Sequence, residues 1–131
     1  WSVLCVFSSR RRHRRYYLVS LGWRGVKEQV YDLSTALELD WIEGLQLAAR
    51  GEAAALLRAG DTALGGKIPI NVSGGLACFG EAVPAQALSQ ICELTWQLRG
   101  QAGDRQGQGA KVGITANQGL FGHGSSVIVK K

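Results

Sequence analysis

The chain has 131 residues, 46% of them hydrophobic, which suits one domain with a modest core. No apolar run approaches the roughly 18 residues of a membrane span, the longest being Val3 to Phe7, so no membrane-spanning helix is expected. The net charge of +5 points to nucleic acid only at first sight. Arg10, Arg11, Arg12, Arg14 and Arg15 supply all of it and leave ten basic against ten acidic residues elsewhere, so nucleic acid is not the expected partner. Cys5, Cys78 and Cys92 are odd in number and lack metal-ligand spacing, which predicts free thiols, no metal and a reducing, cytoplasmic setting. The chain opens on Trp1 and contains no methionine, and is read as a fragment or processed piece.

Residues 1–25 form a basic N-terminal segment that stands apart. Two short β-prone runs, SVLCVF and YYLVSLGW, flank SSRRRHRR as in a hairpin with a basic connection, and the segment is read as foreign to the domain that follows. From residue 26 the pattern becomes regular. Val26 to Leu33 reads as a strand, and Thr35 with Glu38 as a capping box opening a helix. Leu37, Trp41, Ile42, Leu45 and Ala49 recur at helical spacing as its buried face. Glu52 to Ala59 predicts a second, short helix closed by Gly60, and Ile68 to Val72 a short strand interrupted at Pro69.

The stretch NVSGGLACFGEAVPAQA, Asn71 to Ala87, is the main candidate site. Gly74-Gly75 and Gly80 allow close backbone approach and leave N–H groups free to hold an anion or a developing oxyanion, with Glu81 at the mouth of the next helix. That helix is expected from Pro84 to Arg99, with Ala87, Ile91, Leu94 and Leu98 as its apolar face and Leu88 and Thr95 beside it. Cys78 and Cys92 read as small buried thiols. Gln101 to Gly109 predicts an exposed loop, and Lys111 to Thr115 and Ser126 to Lys130 predict strands around a second glycine turn, ANQGLFGHG, that holds Asn117 and an exposed His123. The order βααβαββ is an α/β fold, a mixed sheet with packed helices and both glycine loops at one end.

VYD at Val30 to Asp32, GDTALGGKIPINVSGGL at Gly60 to Leu76, ELTWQLRGQAGDRQ at Glu93 to Gln106, GAKVGI at Gly109 to Ile114 and NQGLFG at Asn117 to Gly122 resemble the C-terminal half of thiolases. The sterol-carrier-protein type, including the actinobacterial lipid-transfer proteins, is the most similar, over residues 26–131. The resemblance implies an incomplete C-terminal thiolase domain that packs against an N-terminal half and then forms a homodimer. It also implies acyl transfer from a coenzyme A thioester, which is substrate rather than resident cofactor, with the nucleophilic cysteine in the N-terminal half. The family's GHP motif falls on Gly80, Glu81 and Ala82, its HDCF motif on Tyr31, Asp32, Leu33 and Ser34, and its HN pair on Ala116 and Asn117. By resemblance the catalytic candidates are therefore Glu81, Tyr31 and Asn117, and the substrate-binding candidates Gly75, Gly80, Gly119 and Gly122.

Glu81 can act as a base, but as a carboxylate it cannot donate to an oxyanion as the family histidine does. Thiolase-like aldolases that work with an OB-fold partner resemble this chain in having tyrosine at the position of Tyr31. The expected function is the C-terminal part of an acyl-CoA acyltransferase or carbon–carbon lyase of lipid or sterol metabolism, inactive alone. The alternative is a non-catalytic module for binding acyl-CoA or a second subunit. Deleting residues 1–25 is expected to abolish any salt-sensitive retention on a polyanion column; retention that persists would place a basic surface elsewhere.

Overall fold

The strand Val26–Val30 (β2) sits at one edge of a four-stranded sheet and is buried at all five positions. The structure, a computed structural model, describes residues 2–8, 25–82, 85–119 and 124–131. Its elements are β1 (Ser2–Ser8), β2, α1 (Thr35–Gly44), α2 (Ala53–Arg58), α3 (Gly75–Phe79), α4 (Ala85–Arg99), a 3-10 turn at Gly103–Arg105, β3 (Val112–Gln118) and β4 (Gly124–Lys130). The sheet order is β1-β4-β3-β2: β2 runs parallel to β3, and β3, β4 and β1 alternate. This is a mixed α/β fold. β1 pairs along its whole length with β4, from Ser2 opposite Lys130 to Ser8 opposite Gly124. The rest of the expected basic hairpin, residues 9–24, lies outside the described residues. Among the described residues no helix is long and apolar enough to cross a membrane.

Ile68 to Val72, expected as a strand, contributes a single bridge, Ile70 to Glu28. Pro69 has no N–H to give, and Asn71 turns into the left-handed region at φ 47, so the ladder stops after one step. Its ends still hold: Glu28 N–H donates to Pro69 O at 3.3 Å and Asn71 N–H to Glu28 O at 3.1 Å.

Ser34, one residue before the expected cap, opens α1, its hydroxyl accepting from Leu37 N–H at 3.3 Å. Ile42 and Leu45 are buried on the sheet, Trp41 is half-buried, and Ala49 is exposed because the helix has already ended at Gly44. α1 and α2 cover one face with Val30, Ile42, Leu47, Ala53, Ile70 and Ala116 at its core. α4 covers the other face. Gly113 lets it lie close, since a Cβ there would stand 3.0 Å from three carbons of Leu94.

The buried side of α4 differs from the expected apolar stripe. Leu94 and Leu98 are buried as expected, but their companions are Gln86, Gln90, Glu93 and Gln97, whereas Leu88 is 65% exposed. Gln90, Glu93 and Gln97 have dedicated partners, whereas Gln86 Oε1 has none. Gln97 Nε2 donates to Arg105 O at 2.7 Å and to Glu93 Oε1 at 3.0 Å, and its Oε1 accepts from Gly107 N–H at 2.8 Å. Arg105 closes the turn with a 3.0 Å ion pair to the buried Glu93. Much of the segment ELTWQLRGQAGDRQ is thus one hydrogen-bonded clasp.

Glu28 has no such provision. It is 1% exposed, shares the face of β2 that carries Val26 and Val30, and neither carboxylate oxygen has a partner. Burial pushes its pKa from 4.5 up to about 8. A raised carboxyl pKa means that the native state binds the proton more tightly, so stability is fully present below 4.5 and falls as pH climbs to about 8. Each unit is worth about 1.4 kcal/mol, so the loss is on the order of several kcal/mol. Glu28→Gln is expected to flatten this dependence and melt higher than the parent at pH 8.5 but not at pH 4.5; parallel melting curves would reject the assignment.

Candidate functional site

The site is assembled where β2 ends. Val30 N–H donates to Asn71 Oδ1 at 2.8 Å and Asn71 Nδ2 donates to Val30 O at 3.2 Å, so one side chain stands in for a neighbouring strand. Tyr31 and Asp32, buried just beyond, therefore start from the same point as the glycine loop. Asp32 Oδ1 accepts the N–H of Leu76 at 2.7 Å. The N–H that the sequence offered to an external anion is thus already taken by an internal carboxylate. Gly75 is required for this approach: its φ is +60, and a Cβ would lie 2.0 Å from Asp32 Oδ2. Between the two glycine bends the chain makes one turn, α3, which the sequence did not suggest, and Gly80 at φ 77 releases it toward Glu81.

Glu81 turns back to Tyr31, whose hydroxyl donates to its Oε1. That bond, then burial, then the negative charge of Glu81 raise the Tyr31 phenol from 10.0 to about 12. Asn117 lies on the same side of the sheet, because the parallel register sets Val30 beside Ala116 and the next residues of both chains face α4. Asn117 Nδ2 donates to Gln90 Oε1, and Gln90 Nε2 donates to Val30 O at 3.3 Å. Asn117 Oδ1 is buried and unpartnered. All three catalytic candidates thus gather around the end of β2.

Gly75 and Gly80 border a cleft of about 210 Å³ between α3 and α4. Gly119 is exposed just past β3, while Gly122 and His123 lie outside the described residues. Cys78 and Cys92, expected to be buried, are exposed free thiols. α3 buries only Leu76, and Cys92 sits on the outward side of α4. Gln90, which lines the cleft and holds Asn117, is the site residue that sequence reasoning missed. A signal existed: Gln86, Gln90, Glu93 and Gln97 recur at helical spacing, a polar stripe as regular as an apolar one.

The profile of the family described as thiolase C-terminal domain-like matches residues 27–131. The chain belongs to this family. Among curated relatives, sterol carrier protein 2 of Oryctolagus cuniculus is 47% identical over 94 residues, covering 72% of this chain and 17% of that protein. An acetyl-CoA acetyltransferase of Methanothermobacter thermautotrophicus is 37% identical over 99 residues, covering 76% and 26%. Among solved structures, an Ltp2–ChsH2(DUF35) aldolase superposes with a TM-score of 0.68 at 25% identity, over 84% of this chain and 28% of that one. The thiolase C-terminal domain-like chain therefore spans less than a third of each of these relatives.

Asp32→Ala leaves the Leu76 N–H buried without an acceptor. The expected cost is about 1–3 kcal/mol in urea denaturation. Amide exchange across Leu76 to Phe79 should quicken while that of β3 barely changes. Equal acceleration in both elements would mean that Asp32 supports the fold generally rather than this loop.

Proposed function

We propose that this chain is the C-terminal part of a thiolase-fold protein that acts on a coenzyme A thioester, with Tyr31 and Glu81 as its proton-handling pair. The observation that carries the reading is the Tyr31–Glu81 hydrogen bond, which joins residues fifty positions apart at two separate motif positions. A phenol held at about 12 stays protonated at neutral pH, and a carboxylate behind it can receive its proton. In a β-hydroxyacyl thioester the hydroxyl proton passes to the Tyr31 oxygen as the phenol proton passes to Glu81. The Cα–Cβ bond breaks, Cβ becomes a carbonyl, and the bonding pair stays on Cα as the thioester enolate. This relay suits a carbon–carbon lyase, while acyl transfer would draw its acylated nucleophile from the N-terminal half, where the family places that cysteine. Asn117, steadied by Gln90, supplies polar contact beside the pair.

The partner surface is supported by α4. Leu88 at 65% exposure and Trp96 at 45% lie on its outward side, and Phe79 of α3 is 70% exposed. Such a run of large apolar side chains suits burial against an N-terminal half, with homodimerisation and an OB-fold partner as further expectations. The non-catalytic alternative draws on the same surface. It also draws on Asp32, which fills the anion position of the loop from within. No resident cofactor is proposed, and the setting is taken as cytoplasmic.

Ultraviolet titration tests the pair. The difference spectrum between the parent and Tyr31→Phe is expected to show one phenol ionising near pH 12, and Glu81→Gln is expected to lower that midpoint toward 10, the ordinary value. In the complete protein Glu81→Gln should also slow turnover of a β-hydroxyacyl thioester about a hundredfold or more without loss of fold. Unchanged kinetics would remove Glu81 from the chemistry.

A further inference from the structure

The cleft between α3 and α4 has a composition that the Tyr31–Glu81 pair does not explain. Three carboxamides meet there, on Gln29, Gln86 and Gln90, each at most 6% exposed, together with the hydroxyls of Ser73 and Ser89 over Leu76. Placing three glutamines in such a wall is costly unless their polar atoms are matched. Gln90 is matched at both ends, by Val30 O and Asn117 Nδ2. Gln29 Oε1 accepts from Ser73 Oγ at 3.4 Å. Gln86 is the exception: its Oε1 is buried and has no partner, although the residue lines the cleft.

Charge narrows what the cleft takes. Among its described lining residues none is ionisable. The nearest carboxylate in sequence, Glu81, is engaged by Tyr31. An anion would find no counter-charge here, and an ammonium would lose its hydration to neutral amides alone. An alkyl chain would leave Gln86 Oε1 unmatched. The volume of about 210 Å³ corresponds to roughly seven waters at ~30 Å³ each, room for a short ligand segment.

We infer that this cleft is a binding subsite for an uncharged hydrogen-bond donor, an amide N–H or a hydroxyl, received by Gln86 Oε1. The inference goes beyond the reading of Tyr31 and Glu81 as a proton-handling pair and stands whether or not those residues do chemistry. Gln90 and Gln29, held by their own partners, keep the wall in shape while the ligand supplies the missing donor. A site kept for a ligand is also less than optimal for stability when empty, which gives a second signature.

The test uses the ¹⁵N-labelled 131-residue chain and paired probes. N-methylacetamide carries a donor that N,N-dimethylacetamide lacks, and 2-propanol one that acetone lacks. Donor probes are expected to shift the Gln86 side-chain amide and the backbone amides of Leu76 to Gly80, with about tenfold weaker binding of the donor-free partner. A response to the amide pair alone or the alcohol pair alone supports the site and identifies the donor. Equal binding within both pairs, no shift with any probe, or tighter binding of methylammonium than of N-methylacetamide would overturn it. Gln86→Met is expected to abolish the discrimination while the melting temperature holds or rises. A melting temperature lowered by several degrees, with discrimination intact, would make Gln86 a packing residue and overturn its assignment as the acceptor. Because no reaction is measured, these outcomes are separate from those of the Glu81→Gln experiments.

Discussion

The edge of β2 has to be closed, and Asn71 closes it. A strand end with a free N–H and C=O in a buried setting is costly. A carboxamide presents one donor and one acceptor in a plane, and both of its bonds go to Val30. Everything at the site follows from that tie. Leu76 reaches Asp32 and Glu81 reaches Tyr31, each five residues further along the same segment. Bonds at three regularly spaced residues, Asn71, Leu76 and Glu81, lay one stretch of chain along the exit of another, which is how two weak-looking loops become one site. Gly75 serves this path by admitting the carboxylate of Asp32, rather than by presenting an empty anion hole.

α4 inverts the usual logic of a surface helix. Its glutamines and Glu93 face the sheet and the 103–107 turn, and Leu88 and Trp96 face out. Buried amides stabilise little in net terms, but they demand particular partners, so they set the rotation and depth of the helix more narrowly than leucines would. That rotation puts Gln90 between Asn117 and Val30. The apolar outward side is an ordinary feature for a helix in the middle of a larger assembly, which fits a chain spanning less than a third of its relatives.

The α/β class, the helix positions and the strands β3 and β4 were legible because periodicity and glycine punctuation are local signals. The motif correspondence also brought Tyr31 and Glu81 forward as separate candidates. Their direct contact was not legible, since the two lie fifty positions apart and it depends on how Asn71 and Asp32 fold the chain between them back. α3 was missed because a five-residue turn between glycines carries no periodic signal of its own. The exposure of Cys92 and the burial of Gln90 and Gln97 on α4 ran against hydropathy for one shared reason. Hydropathy predicts burial from transfer cost, and here hydrogen-bond partners on β2, on β3 and in the 103–107 turn, together with an unfilled outward face, decide which side of the helix turns inward.

The parallel pairing of β2 with β3 has a consequence for what lengths of chain this fold tolerates. Side chains alternate strictly along a strand, so parity is as important as identity. One residue added or lost between Val26 and Glu28, with Val26 and β3 left in place, would turn Glu28 toward α4 and Tyr31 to the opposite face. Asn117 would then keep its place on a face from which the phenol had gone. The polar loop 101–109 has no such parity along most of its length, and Gln101 N–H and the clasp residues tie it to α4. Natural length variation in this family should therefore gather in loops and leave the five residues of β2 untouched.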